Sequence, residues 1–598
     1  MSALKIINVL LFILLINAPV FAQIQYFKDA DGIRLYPQSH QLYPRDKTDK
    51  ATVTIKGDVG TYTIDQIELV VYKHFLDGSV SQSTYSQTTT NSFHFEPILD
   101  AGMYLYSFKL FLKRNHRTFL TQNIASNVVC GDVYIITGQS NAMGIINNVP
   151  SEGIYQDSLY QEYPAEGSNK IYSKSLGNMP KYNGVNGNLT NYNAANNYWT
   201  PATASGDFVG FVGLWGLKLQ YAIQEKYQMP TCFINGAYGG STIGEHQLGF
   251  GNNSDPYNLE TLFGSLNYRV QQANLKGKIK GIIWYQGESQ NTYNRATTYQ
   301  DSLHFLIDTW ETHLGDFSKV YVIQIHTGCN YHGFGQVVRE HQRSIQRPVN
   351  SSSEIVPITA CGIGERASAI YDSFYSCHFA RTAYNQLADR LFQTIGRDFY
   401  HQNTCITSPN IIQAYYAYNE LVLEFDQNLA ALPEGIETQF EFYKNSQLLP
   451  NVSILKAYAE DNKIYFSIDT QTPDAVSYLL VDDPVYNHEM IWLENPAGYA
   501  AFSFHQVPIE HLPCTEHFCS IQSNRISNQN PLQIHLKSCT TQNKVSLYTL
   551  QGQLVFQKDF PFLNIKTSLD LSHLAQGLYF LNIESDGQFL ETKKIIKY

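Results

Sequence analysis

The hydrophobic positions of this chain divide it into regions with different periods. Between residues 24 and 129, apolar residues alternate with polar ones or run together over strand lengths, as in ATVTIKG, IELVVYKHF, SFHFEPI and MYLYSFKLFLK. Gly, Asp and Asn separate these runs. Strands with one apolar face bury it most simply against a second sheet. We therefore predict a β-sandwich over residues 23–129.

From residue 130 to about residue 400, strand-like runs alternate with helical ones. The first strand-like run covers residues 133–137, and TCFING, KIKGIIWYQ, KVYVIQIH and SEIVPITA follow it. Helical patterns such as TTYQDSLHFLIDTWETHL and FARTAYNQLADRLF lie between or after them. Such alternation is typical of a doubly wound parallel sheet. The pattern predicts an α/β domain over residues 130–400 with a five-stranded parallel sheet.

Strand-like runs return beyond residue 400. LVLEFDQNL, TQFEFYKN, KIYFSIDT and VSYLLVDD predict a second β-sandwich over residues 401–512. A segment rich in Ser, Asn and Gln predicts a linker at 513–529, and short strands predict a last domain at 530–598. The stretch 145–207 is rich in Asn and Tyr and has no clear period, so we expect a loop there.

Composition limits the possible classes of protein. A chain of 598 residues is too long for one hydrophobic core and fits three or four domains. Its 41 Lys and Arg against 52 Asp and Glu give a net charge of -11, which provides no basic surface for nucleic acid. The 42 tyrosines suit a surface that binds sugars, although strands of a secreted β-rich protein also favour tyrosine.

The first 22 residues have the pattern of a signal peptide. Lys5 provides the positive start, residues 6–16 the apolar centre, and Val20, Phe21 and Ala22 the site of cleavage. This apolar run is short for a bilayer and no later run is long enough, so we expect an exported chain with no integral membrane segment. Nine cysteines permit disulfides in such a chain, but their pairing stays open.

The first central strand ends in GQSNAMG, residues 138–144. In open α/β sheets the active crevice lies beyond the carboxyl ends of the strands. A serine on a glycine-led turn at that edge exposes its hydroxyl and its N–H together, which is what a nucleophile needs. Ser140 is therefore a candidate nucleophile, and an ordinary polar turn is the alternative.

The other strands of this region end in residues that fit the same chemistry. The second ends in NGAYGGSTIGEH, the third in WYQGESQN, and YDSFYSCHF precedes the last helix. His378 is the candidate base for Ser140. Gly240 and Gln286 are predicted to line an oxyanion hole. No histidine has the spacing of a metal site with cysteines or carboxylates, so we predict no metal.

In this order, GQSNAMG, GGSTI, WYQGES and CHF resemble the SGNH-hydrolase superfamily, most of all its sialate O-acetylesterase-like branch, which includes acetylxylan esterase relatives. VVREHQRSI also resembles a helix of that branch. The resemblance covers roughly residues 130–395. It implies a flavodoxin-like fold and a Ser/His esterase that deacetylates carbohydrate, either sialic acid or acetylated polysaccharide, without a cofactor. It gives the same roles to Ser140, His378, Gly240 and Gln286.

One position departs from the resemblance. The branch usually has an aspartate three residues before its histidine, and this chain has Tyr375 there. A tyrosine hydroxyl does not stabilise an imidazolium as a carboxylate does. Asp372 is the first candidate for the missing acid, Glu288 is the alternative, and a Ser/His dyad is a third possibility. A surface glycan-binding protein built on an inactive esterase domain is the alternative to an active esterase.

The tail of the chain resembles a C-terminal sorting domain of type IX secretion from Bacteroidota. The resemblance rests on NPLQIHLKS, KVSLYTLQGQLVFQ, TSLDLSHLAQGLYFLNIES and the final KKIIKY. It implies passage through the periplasm and across the outer membrane by the type IX machinery, followed by release or attachment at the cell surface. Without the resemblance, these runs predict only a small sandwich with a basic end.

Overall fold

The structure is a computed structural model. It describes residues 24–88, 91–144, 171–177, 197–204, 210–326, 334–348, 351–363, 378–379, 381–417, 420–450, 452–468, 472–479, 491–511, 518–527, 530–537, 543–560, 564–585 and 587–598. The predicted signal peptide lies outside these residues, and so do Asp372 and Tyr375. The described residues form two compact units. The first falls within Met1–Ile325, Ser344–Ile358 and Ile363–Cys405, and the second falls within His326–Arg343, Thr359–Gly362 and Ile406–Tyr598.

The N-terminal strands of the first unit enclose one apolar core. They are β1 (Gln25–Tyr26), β2 (Leu42–Pro44), β3 (Lys50–Thr52), β4 (Ile55–Asp58), β5 (Gln66–His74), β6 (Val80–Gln87), β7 (Ser92–Phe95), β8 (Ile98–Asp100), β9 (Leu105–Arg114) and β10 (Arg117–Gly138). Along β9, buried and half-buried residues alternate, and Tyr106, Phe108 and Leu110 face the core. The alternation in the sequence thus corresponds to a strand with one buried face.

Strand β10 joins these N-terminal strands to the next part of the first unit. It is 22 residues long and passes through residue 130, where the sequence predicts a domain boundary. Its first part pairs antiparallel with β9, and its last part pairs in parallel with two strands of the central sheet. One continuous strand therefore leads from the N-terminal strands to the turn that carries Ser140.

The central path of an eleven-stranded sheet contains the five strands predicted from the sequence and two more, and β2, β5, β6 and β9 lie off this path. Its strands after β10 are β11 (Ser173–Leu176), β12 (Trp199–Pro201), β13 (Thr231–Asn235), β14 (Gly281–Tyr285), β15 (Lys319–Gln324) and β16 (Glu354–Thr359). They lie in the order β12-β11-β13-β10-β14-β15-β16. β10 pairs in parallel with β13 and β14, β13 with β11, and β14 with β15, whereas β12 is antiparallel.

The expected number of five strands is too small because β11 and β12 come from the stretch without a clear period. β11 has the sequence SKSL, and all four of its residues are buried. The amide of Gln220 donates to the carbonyl of Lys174 in this strand. Apolar periodicity cannot mark a buried strand that is mostly polar, because the buried positions do not differ from a loop in composition.

Helices connect the strands of the central sheet. They are α1 (Ser140–Met143), α2 (Leu214–Tyr227), α3 (Leu262–Gln272), α4 (Tyr293–Thr297), α5 (Tyr299–Leu314), α6 (Gly335–Ser344) and α7 (Arg381–Tyr400). Leu303, Leu306 and Trp310 show the expected helical spacing, and all three are buried along α5. None of the helices in the described residues is long and apolar enough to cross a bilayer.

A buried carboxylate ties three parts of the first unit together. Asp132 in β10 is fully buried, and Arg45 next to β2 reaches both its oxygens, at 2.9 and 2.8 Å. Tyr400 at the end of α7 donates to it at 2.8 Å, and Lys280 lies 3.6 Å away. Each carboxylate oxygen thus has at least one donor, which a buried charge requires.

We expect Asp132→Asn to destabilise the first unit by about 3 kcal/mol or more, because it leaves the Arg45 charge without its buried partner. Chemical unfolding followed by tryptophan fluorescence measures the change. Asp49→Asn is the matched control, since Asp49 also contacts Arg45 but is 65% exposed, and it should cost less than about 1 kcal/mol. Equal effects of the two variants would contradict the assignment.

The second unit contains two groups of strands. Those of the first group are β17 (Ile411–Ala417), β18 (Glu420–Phe425), β19 (Phe440–Lys444), β20 (Gln447–Leu448), β21 (Ile454–Glu460), β22 (Lys463–Ile468), β23 (Ala475–Tyr478) and β24 (Phe504–His511). They form one sheet in the order β20-β19-β23-β24-β17-β18-β22-β21 around a core that includes Leu421, Phe440 and Phe466. Helix α6 contributes Glu340, which accepts from the His505 N–H at 2.9 Å.

The C-terminal strands form two sheets around a common core. They are β25 (Phe518–Ile521), β26 (Arg525–Ile526), β27 (Leu532–Lys537), β28 (Asn543–Thr549), β29 (Leu554–Phe560), β30 (Asn564–Leu569), β31 (Gly577–Ser585) and β32 (Gln588–Lys597). The sheets have the orders β25-β27-β30 and β26-β32-β31-β28-β29. β25 and β26 come from 513–529, for which composition predicts a linker, because strands of four and two residues are too short to show a period in sequence.

Candidate active site

Three of the candidate residues follow neighbouring strands of the central sheet. Ser140 follows β10, Gly240 follows β13 and Gln286 follows β14. β10 is paired in parallel with both of the other strands, so their carboxyl ends meet at one edge. The structure therefore brings these three residues to the crevice where open α/β sheets bind their ligands.

The turn after β10 depends on a glycine. Gly138 has φ +132°, and a Cβ atom there would lie 2.0 Å from the Tyr285 carbonyl oxygen. The next residue, Gln139, donates its N–H to the same oxygen at 2.9 Å. Ser140 then begins α1 and is half-buried. Any side chain at residue 138 would push the Ser140 turn away from β14.

Gln139, which the sequence reasoning missed, fastens this turn to the loop after β14. Its amide oxygen accepts from the N–H groups of Gly287, at 3.3 Å, and Ser289, at 3.1 Å. The amide of Gln286 donates to the same oxygen at 3.3 Å and to the Ser241 carbonyl at 3.1 Å. The side chain of Gln286 is thus fixed from two sides, and both its N–H groups have acceptors within the protein.

Gly240 presents its main chain to open space. It is exposed, has φ +72°, and no atom lies within 4 Å of a Cβ built on it. Its carbonyl accepts from the Ser289 hydroxyl at 3.0 Å. Within the described part of the chain, neither the Gly240 N–H nor the Ser140 N–H has an acceptor. Two backbone donors at this edge are therefore available to a bound group.

Below this edge lies a buried network with a structural histidine. The Ser241 hydroxyl and His246 Nε2 are 2.7 Å apart, and the His246 ring packs edge-on against Trp284. Burial lowers the pKa of His246 to about 3, so the ring is neutral. His246 thus supports the loop that carries Gly240 and has no access to substrate.

A second buried network begins at Asn141, directly after Ser140. The Asn141 amide donates to Glu288 Oε1 at 2.7 Å, and its oxygen accepts from the Tyr384 hydroxyl at 2.9 Å. Among the described residues, Glu288 Oε2 is buried without a hydrogen-bond partner. Burial raises the pKa of Glu288 to about 7. Asn141 and Tyr384 carry no signal in the local sequence that marks them as partners.

His378 lies on the segment before α7. It is half-buried, and desolvation lowers its pKa below the ordinary value, so the ring is neutral near pH 7. Its neighbour Phe379 packs edge-on against the ring of Tyr384, which contacts Asn141. No hydrogen bond joins Ser140 to His378, and His378 Nδ1 has no partner in the described residues. Asp372 lies outside them.

The raised pKa of Glu288 predicts pH-dependent stability. The folded chain holds this proton up to about pH 7, whereas the unfolded chain releases it near the ordinary value of 4.5. The stability from Glu288 is therefore complete below the unfolded value and lost as the pH rises through about 7, a change on the order of 3 kcal/mol. We expect Glu288→Gln, which has no proton to lose, to gain stability relative to wild type between about pH 5 and about pH 8.

Unfolding curves across this range test the expectation. Glu225→Gln is the control, because Glu225 is an exposed glutamate of α2. The free energy of unfolding of this variant should follow that of wild type at every pH. A constant difference between Glu288→Gln and wild type would contradict the prediction.

The described residues hold no group of three His, Cys, Asp or Glu side chains that fits a metal ion.

Models of known protein families match two regions of the chain. A family model described as carbohydrate esterase, sialic acid-specific acetylesterase matches residues 130–397. One described as secretion system C-terminal sorting domain matches residues 528–598. No curated protein sequence matches the chain.

One solved structure gives a likeness of fold. A carbohydrate acetylesterase from Xanthomonas citri is 17% identical, with a TM-score of 0.51, over 79% of this chain and 98% of that one. A protein from Arabidopsis thaliana is 20% identical over 45% of this chain and 99% of that one, with a TM-score of only 0.33. By the two family models, the chain carries a domain of the sialic acid-specific acetylesterase family of carbohydrate esterases at residues 130–397 and a type IX secretion sorting domain at residues 528–598.

Proposed function

We propose that the chain is a secreted serine esterase of the SGNH type that removes O-acetyl groups from carbohydrate through an acetyl-enzyme. The observation that carries the proposal is the edge of the central sheet. There Ser140 sits half-buried, and the Ser140 and Gly240 N–H groups have no acceptor among the described residues. The strand order β13-β10-β14-β15-β16 supports assignment of these five strands as the flavodoxin-like core.

The first half of the reaction forms the acetyl-enzyme. The Ser140 hydroxyl oxygen attacks the acetyl carbonyl carbon while neutral His378 takes its proton. Negative charge collects on the carbonyl oxygen, which accepts hydrogen bonds from the N–H groups of Ser140 and Gly240. When the intermediate collapses, the bond to the sugar oxygen breaks and His378 returns the proton to that oxygen. The second half repeats these steps with water as nucleophile and releases acetate.

The contacts of Gln286 support a positioning role in this scheme. Its N–H groups donate to Gln139 and to the Ser241 carbonyl, and Ser241 follows Gly240 directly. Gln286 thus holds the loop that offers the Gly240 N–H. Direct donation from Gln286 to the oxyanion stays a prediction.

Export follows from the sorting domain, which supports secretion or attachment at the cell surface by the type IX machinery. The signal peptide at 1–22 and an origin in Bacteroidota belong to the same proposal. With export and the esterase site taken together, we expect the substrate to be an acetylated glycan outside the cell.

Acetate release from acetylated sialic acids, acetylated xylan and a simple acetyl ester tests the function. We expect release from the simple ester and faster release from at least one glycan. A pure chain that hydrolyses none of them would overturn the esterase. Binding of the same glycans without hydrolysis would instead support a glycan-binding protein on an inactive domain, for which Tyr375 is the motivation.

A further inference from the structure

A buried chain of hydrogen bonds connects the three segments that carry the candidate catalytic residues. Glu288 follows β14, Asn141 follows the nucleophile, and Tyr384 lies on α7 just after His378. The Asn141 amide donates to Glu288 at 2.7 Å, and the Tyr384 hydroxyl donates to the Asn141 oxygen at 2.9 Å. All three side chains lie in the buried part of the first unit.

The last link of this chain reaches the histidine segment. The main-chain N–H of Phe379 donates a hydrogen bond to the Tyr384 hydroxyl. The rings of Phe379 and Tyr384 also pack edge-on, with centroids 5.6 Å apart. Phe379 follows His378 directly, so the contacts of Phe379 with Tyr384 also hold the main chain next to His378 in place.

We propose that Tyr384 is a positioning residue for His378, and that its hydroxyl holds the histidine segment against the Ser140 turn through Asn141. The inference rests on the proposed function, because it concerns the Ser140–His378 pair. The side chain of Tyr384 is fully buried, so it acts through its neighbours.

The directions of the hydrogen bonds in this network show why the Tyr384 hydroxyl is needed. Glu288 accepts from the Asn141 amide, so Asn141 must turn its oxygen toward Tyr384. The hydroxyl then donates to Asn141 and accepts from Phe379 at the same time, which a phenylalanine ring cannot do. Loss of the hydroxyl removes both of these hydrogen bonds, and with them the link between the His378 segment and the Ser140 turn.

Tyr384→Phe tests the proposal because it keeps the ring. Tyr400→Phe is the matched control, since Tyr400 lies on the same helix and its hydroxyl also serves a buried network, through Asp132 at 2.8 Å. The readouts are kcat and KM for a simple acetyl ester, the melting temperature, and the rate of labelling of Ser140 by an organophosphonate. The labelled fraction counts active molecules, so kcat per labelled site is unaffected by unfolded protein.

We expect Tyr384→Phe to lower kcat per site and the labelling rate by roughly 10-fold or more with KM unchanged. Tyr400→Phe should keep the wild-type kcat, even if its melting temperature falls by as much as that of Tyr384→Phe. Wild-type kcat in Tyr384→Phe, or an equal loss in both variants, would overturn the proposal while the esterase stands. A wild-type chain that neither hydrolyses the ester nor takes the label would overturn the proposed function and this inference together.

Discussion

Replacement of Ser140 by alanine is expected to lower kcat for acetyl-ester hydrolysis by on the order of 10³-fold or more. Without the hydroxyl no acetyl-enzyme forms, and only the backbone donors of Ser140 and Gly240 still stabilise attack by water. The substitution keeps the turn, because Gly138 and the main chain of Gln139 set its geometry through Tyr285.

The steady-state rate and the yield of acylated protein measure this effect. Ser302→Ala is a suitable control, because Ser302 is also half-buried but lies on α5, and it should keep full activity. Full activity in Ser140→Ala would remove Ser140 as the nucleophile and the acetyl-enzyme with it.

Replacement of Asp372 by asparagine is expected to lower kcat by roughly 10³- to 10⁴-fold, as removal of a triad acid does. Tyr375 stands where the related branch has its acid, and Asp372 is the nearest carboxylate before His378. A carboxylate on His378 would fix the ring tautomer and stabilise the imidazolium that forms in each step.

Glu288→Gln is the matched test of the alternative acid. Glu288 already accepts from Asn141 through one oxygen, and no hydrogen bond joins it to His378 within the described residues. We therefore expect a smaller loss of kcat in Glu288→Gln than in Asp372→Asn. The reverse result would move the role to Glu288, and wild-type rates in both variants would indicate a Ser/His dyad.

The local sequence was sufficient to predict those elements that bury one apolar face. Apolar alternation marked β9, and helical spacing marked α5, because each pattern depends only on which face of one element is buried. The order of motifs along the chain also indicated that Ser140, Gly240 and Gln286 follow three strands. That they share one edge follows from the tertiary pairing of β10 with β13 and β14.

The tertiary structure decided the features that depend on distant partners. β11 is a buried polar strand, and its own sequence pattern does not indicate the pairing with β13 that buries it. Asn141 and Tyr384 are 243 residues apart in sequence, yet their side chains meet. Gln139 likewise finds its donors on the loop after β14. A hydrogen bond needs two groups in one place, so residue type and spacing alone predict donors and acceptors, whereas only the folded chain decides which of them meet.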